Sequence, residues 1–190
     1  MQPILEKNGW LDEPPVIETE NYIVKALSKE YGAELFTFLS DKKTMMFITP
    51  HPVQSIEEVQ KNIVISLAQF QSKKEIPWVI LNKENGELIG MFRFHKVHVW
   101  HRKAEMGAVI KKAYQNKGVM TEVFEKVLEF GFLTLGLNRI VGDIFEGNEG
   151  SEKLLLKFAF KKEGQLRQTD FDGERYHDTI VYSLLRPEYT

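Results

Sequence analysis

The sequence contains no cysteine. Disulfides, thiol nucleophiles and cysteine-based zinc sites are therefore excluded, and the composition fits a reducing cytoplasm. Long apolar runs are also missing: none approaches the ~20 residues that span a bilayer. The start, Met1-Gln2-Pro3, lacks the basic-then-apolar pattern of a secretory leader. Neither charge dominates. The net charge is −2, from 25 basic and 27 acidic residues, so no bulk basicity is available for gripping nucleic-acid phosphates. Repeats and low-complexity stretches are lacking too. The partners expected from these absences include neither nucleic acid nor membrane.

What is present is ordinary for a globular domain. The 190 residues are 43% apolar, enough for one domain with a full core and short for two. Asp12-Glu13-Pro14-Pro15 reads as a linker. Residues 1–16 are therefore expected to form a loosely packed arm of a single domain spanning 1–190.

Tyr22 to Leu27 reads as a strand, and Glu30 to Ser40 as a helix with Leu35, Phe38 and Leu39 on one face. Ser55-Ile56-Glu57-Glu58 is a capping box opening a helix to about Gln71, with Ile56, Val59, Ile63 and Leu67 facing the core. Trp78–Leu81 and Leu88–Phe94 suit a hairpin turned at Asn85-Gly86. A strand over Ala104–Lys111 leads to a helix running from Gly118 to about Thr134. Arg139–Phe145 is the next strand and Glu149–Lys157 the next helix. Strands near Phe160–Leu166 and His177–Leu185 finish the chain. Hairpins followed by strand–helix–strand units predict a three-layer α/β domain around one mixed sheet.

Two junctions could carry chemistry. Gln115-Asn116-Lys117-Gly118-Val119-Met120-Thr121 lies between a strand and a helix start. Free N–H groups and the helix dipole suit an anion there, and a glycine lets it approach the backbone. The alternative is a glycine easing a tight turn. Asn148-Glu149-Gly150-Ser151 sits at a second helix start, where Asn and Ser are favoured simply as caps.

Taken in order, these stretches resemble the GNAT acetyltransferase superfamily, and within it the RimJ/RimL branch of ribosomal-protein N-terminal acetyltransferases. The ordered set is Gly86-Glu87-Leu88-Ile89-Gly90, Ala104-Glu105-Met106-Gly107, Gly118-Val119-Met120-Thr121-Glu122, Leu137-Asn138-Arg139-Ile140, Asn148-Glu149-Gly150-Ser151 and Phe160-Lys161-Lys162-Glu163-Gly164. The resemblance implies an α/β (α+β) GNAT-like domain whose central sheet is mixed, mostly antiparallel and flanked by helices.

The resemblance further implies direct acetyl transfer from acetyl-CoA, as cosubstrate, to a primary amine, without a metal. Gln115 and Gly118 match the pyrophosphate loop. Met120 departs from it, standing where the family has Gly or Ala. Gln115 through Thr121, including Asn116, Lys117 and Val119, would hold the pyrophosphate. Backbone groups near Val109 and Ile110, together with Asn148, would bind the pantetheine arm. Ser151 would assist the departing thiolate. Glu105 is the first candidate for base. Some members place a glutamate nineteen residues after that serine, and the same offset lands on Asp170.

The branch implies a protein N-terminus as acceptor, with a monomer or homodimer as the working unit. A small amine is the alternative within the enzyme class, and an acyl-CoA-binding regulatory module the alternative outside it. An α-amine, with a pKa of about 7.7–8.0, is roughly one-tenth neutral at pH 7, so it needs little help from a base.

Three other features are set aside. His95, His98 and His101 are spaced to alternate faces of a strand, which scatters them for a metal. Lys111-Lys112 and Lys161-Lys162 read as solvated surface lysines. Phe36, Phe38, Trp78, Phe92 and Phe94 read as core rather than a stacking platform.

Overall fold

Period-two alternation of apolar residues builds most of the chain into one sheet, seen in a computed structural model that describes residues 2–189. The strands are β1 (Ile17–Glu18), β2 (Tyr22–Ala26), β3 (Ile76–Asn82), β4 (Leu88–His98), β5 (Lys103–Ile110), β6 (Arg139–Phe145), β7 (Lys161–Phe171) and β8 (Tyr176–Leu185). Their spatial order is β1-β2-β3-β4-β5-β6-β8-β7. Every neighbouring pair is antiparallel except β5 and β6.

Helices α1 (Gly32–Leu39) and α3 (Ile56–Gln71), with the short α2 (Lys42–Met45) between them, precede β3. Leu35 and Phe38 of α1 and Val59 and Ile63 of α3 pack on Val79 and Leu88, covering one face of the sheet. Helices α4 (Val119–Glu129) and α5 (Glu149–Lys157) cover the other face, where Val123, Val127 and Leu155 meet Phe92, Phe94 and Ile140. Trp78, Phe92 and Phe94 are fully buried, and their rings meet at tilted or edge-on angles.

Several local expectations shift. Ser55 accepts from the Glu58 N–H, but Glu58 reaches back to the Gln54 N–H at 2.8 Å rather than to its cap. Ile56, in the first turn of α3, faces solvent instead of the core. In the β3–β4 turn only Gly86 takes a positive φ, +71°. Asn85 instead accepts from the Glu87 N–H at 2.9 Å. Helix α4 does not continue to Thr134 as one α-helix: Phe130–Leu135 winds with π spacing and stops at Gly136, φ +90°. Gly131 lets this wide turn press on the sheet, since a Cβ there would stand 3.0 Å from Ile140 Cδ1.

The arm is not loosely packed. Leu5 is 4% exposed within the main core, and Trp10 packs on Phe70 with ring centroids 5.9 Å apart. The Ile4 N–H bonds to the Thr134 carbonyl at 2.9 Å. Glu6 accepts from Arg102 at 3.2 Å and Arg186 at 2.6 Å. The apolar Leu5 and Trp10 outweigh the linker character of Pro14-Pro15, whose Pro15 carbonyl itself accepts the Trp78 indole N–H at 2.9 Å.

Candidate active site

The parallel pair β5–β6 runs only from Lys103↔Arg139 to Met106↔Gly142, and beyond that point the two strands part. β5 stays paired with β4 as far as Gly90↔Ile110, and the Lys111 N–H bonds the Ile89 carbonyl at 2.8 Å. Antiparallel ladders alternate, so this register turns the backbone groups of Val109 toward Met91 and those of Ala108 and Ile110 toward the gap. The expectation at Val109 therefore moves by one residue: Ala108 and Ile110 present their backbones to the opening. The Ile110 carbonyl is met by the Gln115 side-chain amide at 3.2 Å.

A cleft of about 710 Å³ opens where the strands part. Val109, Ile110, Gln115, Asn116, Gly118, Val119, Met120, Thr121, Asn148 and Ser151 all line it, and Lys117 does not. Lys117 lies with its ammonium 5.7 Å from the Tyr114 ring centroid, and Lys111 bonds Glu87 at 3.0 Å. Thr44, Phe47 and Ile48, from α2 and the segment after it, line the same cleft. Sequence reading passed over them, because no motif marks this stretch.

The anion cradle is built from backbone. Asn116 and Gly118 both take left-handed φ, +59° and +81°, on either side of Lys117. Such alternation turns successive N–H groups inward. Gly118 is the N-cap of α4, so the N–H groups of the first turn lack helical partners and point toward the cleft. No protein atom lies within 4 Å of where a Gly118 Cβ would stand. What the protein itself requires of this glycine is thus its φ, not empty space. Met120 packs its side chain on the core, so its departure from the motif leaves the backbone edge intact. Glu122 is tied to Asn21, accepting its N–H at 2.6 Å and its side-chain amide at 3.0 Å. Burial pushes the Glu122 carboxyl up, but these bonds outweigh it and hold the group below its ordinary value.

At the far end of the cleft, Asn148 is the N-cap of α5, its Oδ1 accepting the Ser151 N–H at 3.2 Å. Ser151 is therefore not the cap. Its half-buried hydroxyl makes no hydrogen bond among the described residues and is free to serve the cleft. Glu152 accepts from the buried Tyr182 hydroxyl, which fixes α5 on β8. That bond, with burial second, pushes Tyr182 up to about 12.

The two candidate bases fare differently. Glu105 does not line the cleft. It lies on a second cavity of about 280 Å³, where Lys96 pairs with it at 2.7 Å. Asp170 reaches neither cavity; it accepts from Thr179 at 3.0 Å across the β7–β8 hairpin. Counting along the chain failed there because β7 slips register twice, at 162/164 and 166/170. The carboxylate that sequence reading missed is Asp143, which lines both cavities. It stands exposed on the cleft floor, yet crowding by protein, then the negative charge of Glu105, raises its carboxyl above the ordinary value. Its one signal in the sequence was an acid inside the apolar run Arg139–Phe145.

The histidines divide differently from the strand pattern. The rings of His98 and His101 stack 4.2 Å apart because β4 ends at His98 and the chain turns. His95 sits apart and is held down to about 4 by burial, then by Arg93. No group of three or more metal-binding side chains occurs among the described residues.

A sheet opened between two parallel strands, with a backbone anion cradle at the mouth, defines a protein that takes an extended, phosphate-ended ligand such as acyl-CoA. Comparison with known proteins is specific on this point. Residues 23–161 match the family described as Acetyltransferase (GNAT) domain, and the chain belongs to that family of acetyl-CoA-dependent N-acetyltransferases. YoaA, an uncharacterized N-acetyltransferase of Bacillus subtilis, is 35% identical over 173 residues, covering 91% of this chain and 98% of the relative. RimL, a ribosomal L7/L12 alpha-N-protein acetyltransferase solved in complex with coenzyme A, superposes with a TM-score of 0.83 at 18% identity, covering 90% of this chain and 98% of that one. A spermidine N-acetyltransferase from Vibrio cholerae, solved with CoA and spermine, gives 0.80 at 21% identity over 89% of this chain and 98% of that one.

Proposed function

We propose that the acetyl acceptor is the α-amine of a protein N-terminus, entering through the second cavity on the sheet face opposite α4 and α5. The observation that carries this reading is the charge of that cavity. Lys96, Lys103 and Arg139 line it with Glu105 and Asp143; Lys96 is matched by Glu105 at 2.7 Å and Arg139 by Glu163 at 2.8 Å, so Asp143 is the one carboxylate of the lining without an ion pair among the described residues. A polyamine, cationic along its length, needs a run of acidic groups that this lining does not offer, whereas a peptide presents one amine followed by neutral backbone. RimL, with the higher TM-score of the two solved neighbours, is named for an alpha-N-protein acceptor.

In this reading the first-turn N–H groups after Gly118 hold the pyrophosphate. The pantetheine arm lies in the gap against Ala108 and Ile110, with the Asn148 side-chain amide alongside. The amine attacks the thioester carbonyl directly, a backbone N–H of β5 polarises that carbonyl, and the Ser151 hydroxyl serves the leaving thiolate. A thiol has a pKa of about 8.5, so assistance to the leaving group is helpful but modest.

The test is CoA release from acetyl-CoA with an alanine-rich heptapeptide amide bearing a free N-terminal serine, against spermidine and the same peptide with its N-terminus blocked. The free peptide should exceed spermidine at least tenfold in kcat/KM, and the blocked peptide should be inert. Spermidine as the faster substrate would overturn the peptide reading and favour a small amine. No release with any amine would point to an acyl-CoA-binding regulatory module.

A further inference from the structure

We propose that Asp143, and not Glu105, is the catalytic residue that takes the proton from the incoming ammonium. The inference rests on the acetyl-transfer reading above and concerns which group makes the amine nucleophilic.

Position argues first. The last paired residues of the parallel strands are Met106 and Gly142, so Gly107 and Asp143 are the first pair to face each other across the opening. The pyrophosphate cradle lies beyond the far end of β5, so an extended arm running back along β5 brings its reactive end toward this apex. Asp143 is the one carboxylate common to the linings of the cleft and the second cavity. Gly107 has no side chain to screen it; a Cβ there would sit 3.5 Å from Arg93 Nε and 3.6 Å from His95 Nε2, with nothing nearer.

Availability argues second. Glu105 is already matched by the Lys96 ammonium at 2.7 Å and is confined to the second cavity. Asp143 makes no hydrogen bond or ion pair to a side chain among the described residues. Lys96 and Arg139 act on it from a distance and work against the upward shift set by crowding and Glu105. Lys103 completes the charged rim of the second cavity, and Lys153, which lines the cleft, is paired with Glu149 at 3.3 Å. A carboxylate raised above its ordinary value is a better base than an ordinary aspartate.

The step balances without a co-reactant. The ammonium N–H bond breaks and its proton passes to an Asp143 oxygen. The freed lone pair forms the N–C bond to the thioester carbonyl carbon, and the C–S bond then breaks. The second amine proton leaves with the thiolate, through the Ser151 hydroxyl, and Asp143 returns its proton to water.

Two readouts test this. With acceptor peptide saturating, kcat should fall about 10²-fold in Asp143→Asn, with acetyl-CoA affinity by calorimetry unchanged. The acidic limb of the kcat–pH profile should vanish with it. Glu105→Gln should retain that limb but move it to lower pH, because it removes the negative charge that raises Asp143. Carboxyl-carbon NMR of the ligand-free protein should show Asp143 titrating above the ordinary aspartate value, and lower again in Glu105→Gln. The proposal is overturned if the limb survives in Asp143→Asn and vanishes in Glu105→Gln, or if Asp143 titrates at or below the ordinary value. If wild-type protein fails to release CoA with any amine, the transfer reading itself fails, and the NMR titration still judges the residue.

Discussion

Ser151 and Asn148 show how one short helix start divides two duties between neighbours. The cap belongs to Asn148 Oδ1, which leaves the Ser151 hydroxyl without a structural bond. Ser151→Ala should therefore leave the melting temperature near wild type and lower kcat about 10²-fold, at the low end for acid assistance because the leaving thiolate is already good. Asn148→Ala should instead cost about 1 kcal/mol of stability, the usual worth of a side-chain cap. Melting and steady-state kinetics on the same two variants separate the roles. A Ser151→Ala protein with unchanged kcat would remove the serine from the mechanism.

At the scale of elements, the cradle depends on two left-handed residues in a three-residue span, and they are not equivalent. Asn116 tolerates its φ of +59°, and glycine adopts it freely, so Asn116→Gly should leave acetyl-CoA affinity within about twofold. Gly118→Val must force a branched residue to +81° at the helix start, at a cost of roughly 1–2 kcal/mol. It also sets a side chain beside the free N–H groups. Calorimetry should show acetyl-CoA binding weakened more than tenfold; unchanged affinity would sink the pyrophosphate assignment.

Elements of this kind were legible from sequence because their signals are local: apolar spacing marked α4, cap-forming Asn148 and Ser151 marked the start of α5, and Gly118 marked the junction before α4. The failures at the site are non-local. Asp170 was reached by counting through a strand that slips register, and Val109 by ignoring the hydrogen-bonding parity that only the β4 partner sets. Asp143 was passed over because its position matters only where two strands part, which no single strand encodes.

For the whole molecule, the first residues matter as much as the site. Leu5 sits in the same core as Phe132 and Leu137, and truncating so buried a leucine typically removes 2–5 kcal/mol. Leu5→Ala should shift the urea midpoint accordingly, whereas an unanchored arm would give a change within about 0.5 kcal/mol. The same arm carries Glu6, which joins Arg102 of the β4–β5 turn to Arg186 after the last strand. These partners are separated by 96 and 180 residues of chain. Chains are made from N- to C-terminus, so the Glu6 carboxylate can meet Arg186 only after β8 has been made. Trp10 can meet Phe70 far earlier, and the Ile4 N–H can meet the Thr134 carbonyl before β6 is made. The arm thus docks in stages as the chain lengthens, and its clasp on Arg186 closes last.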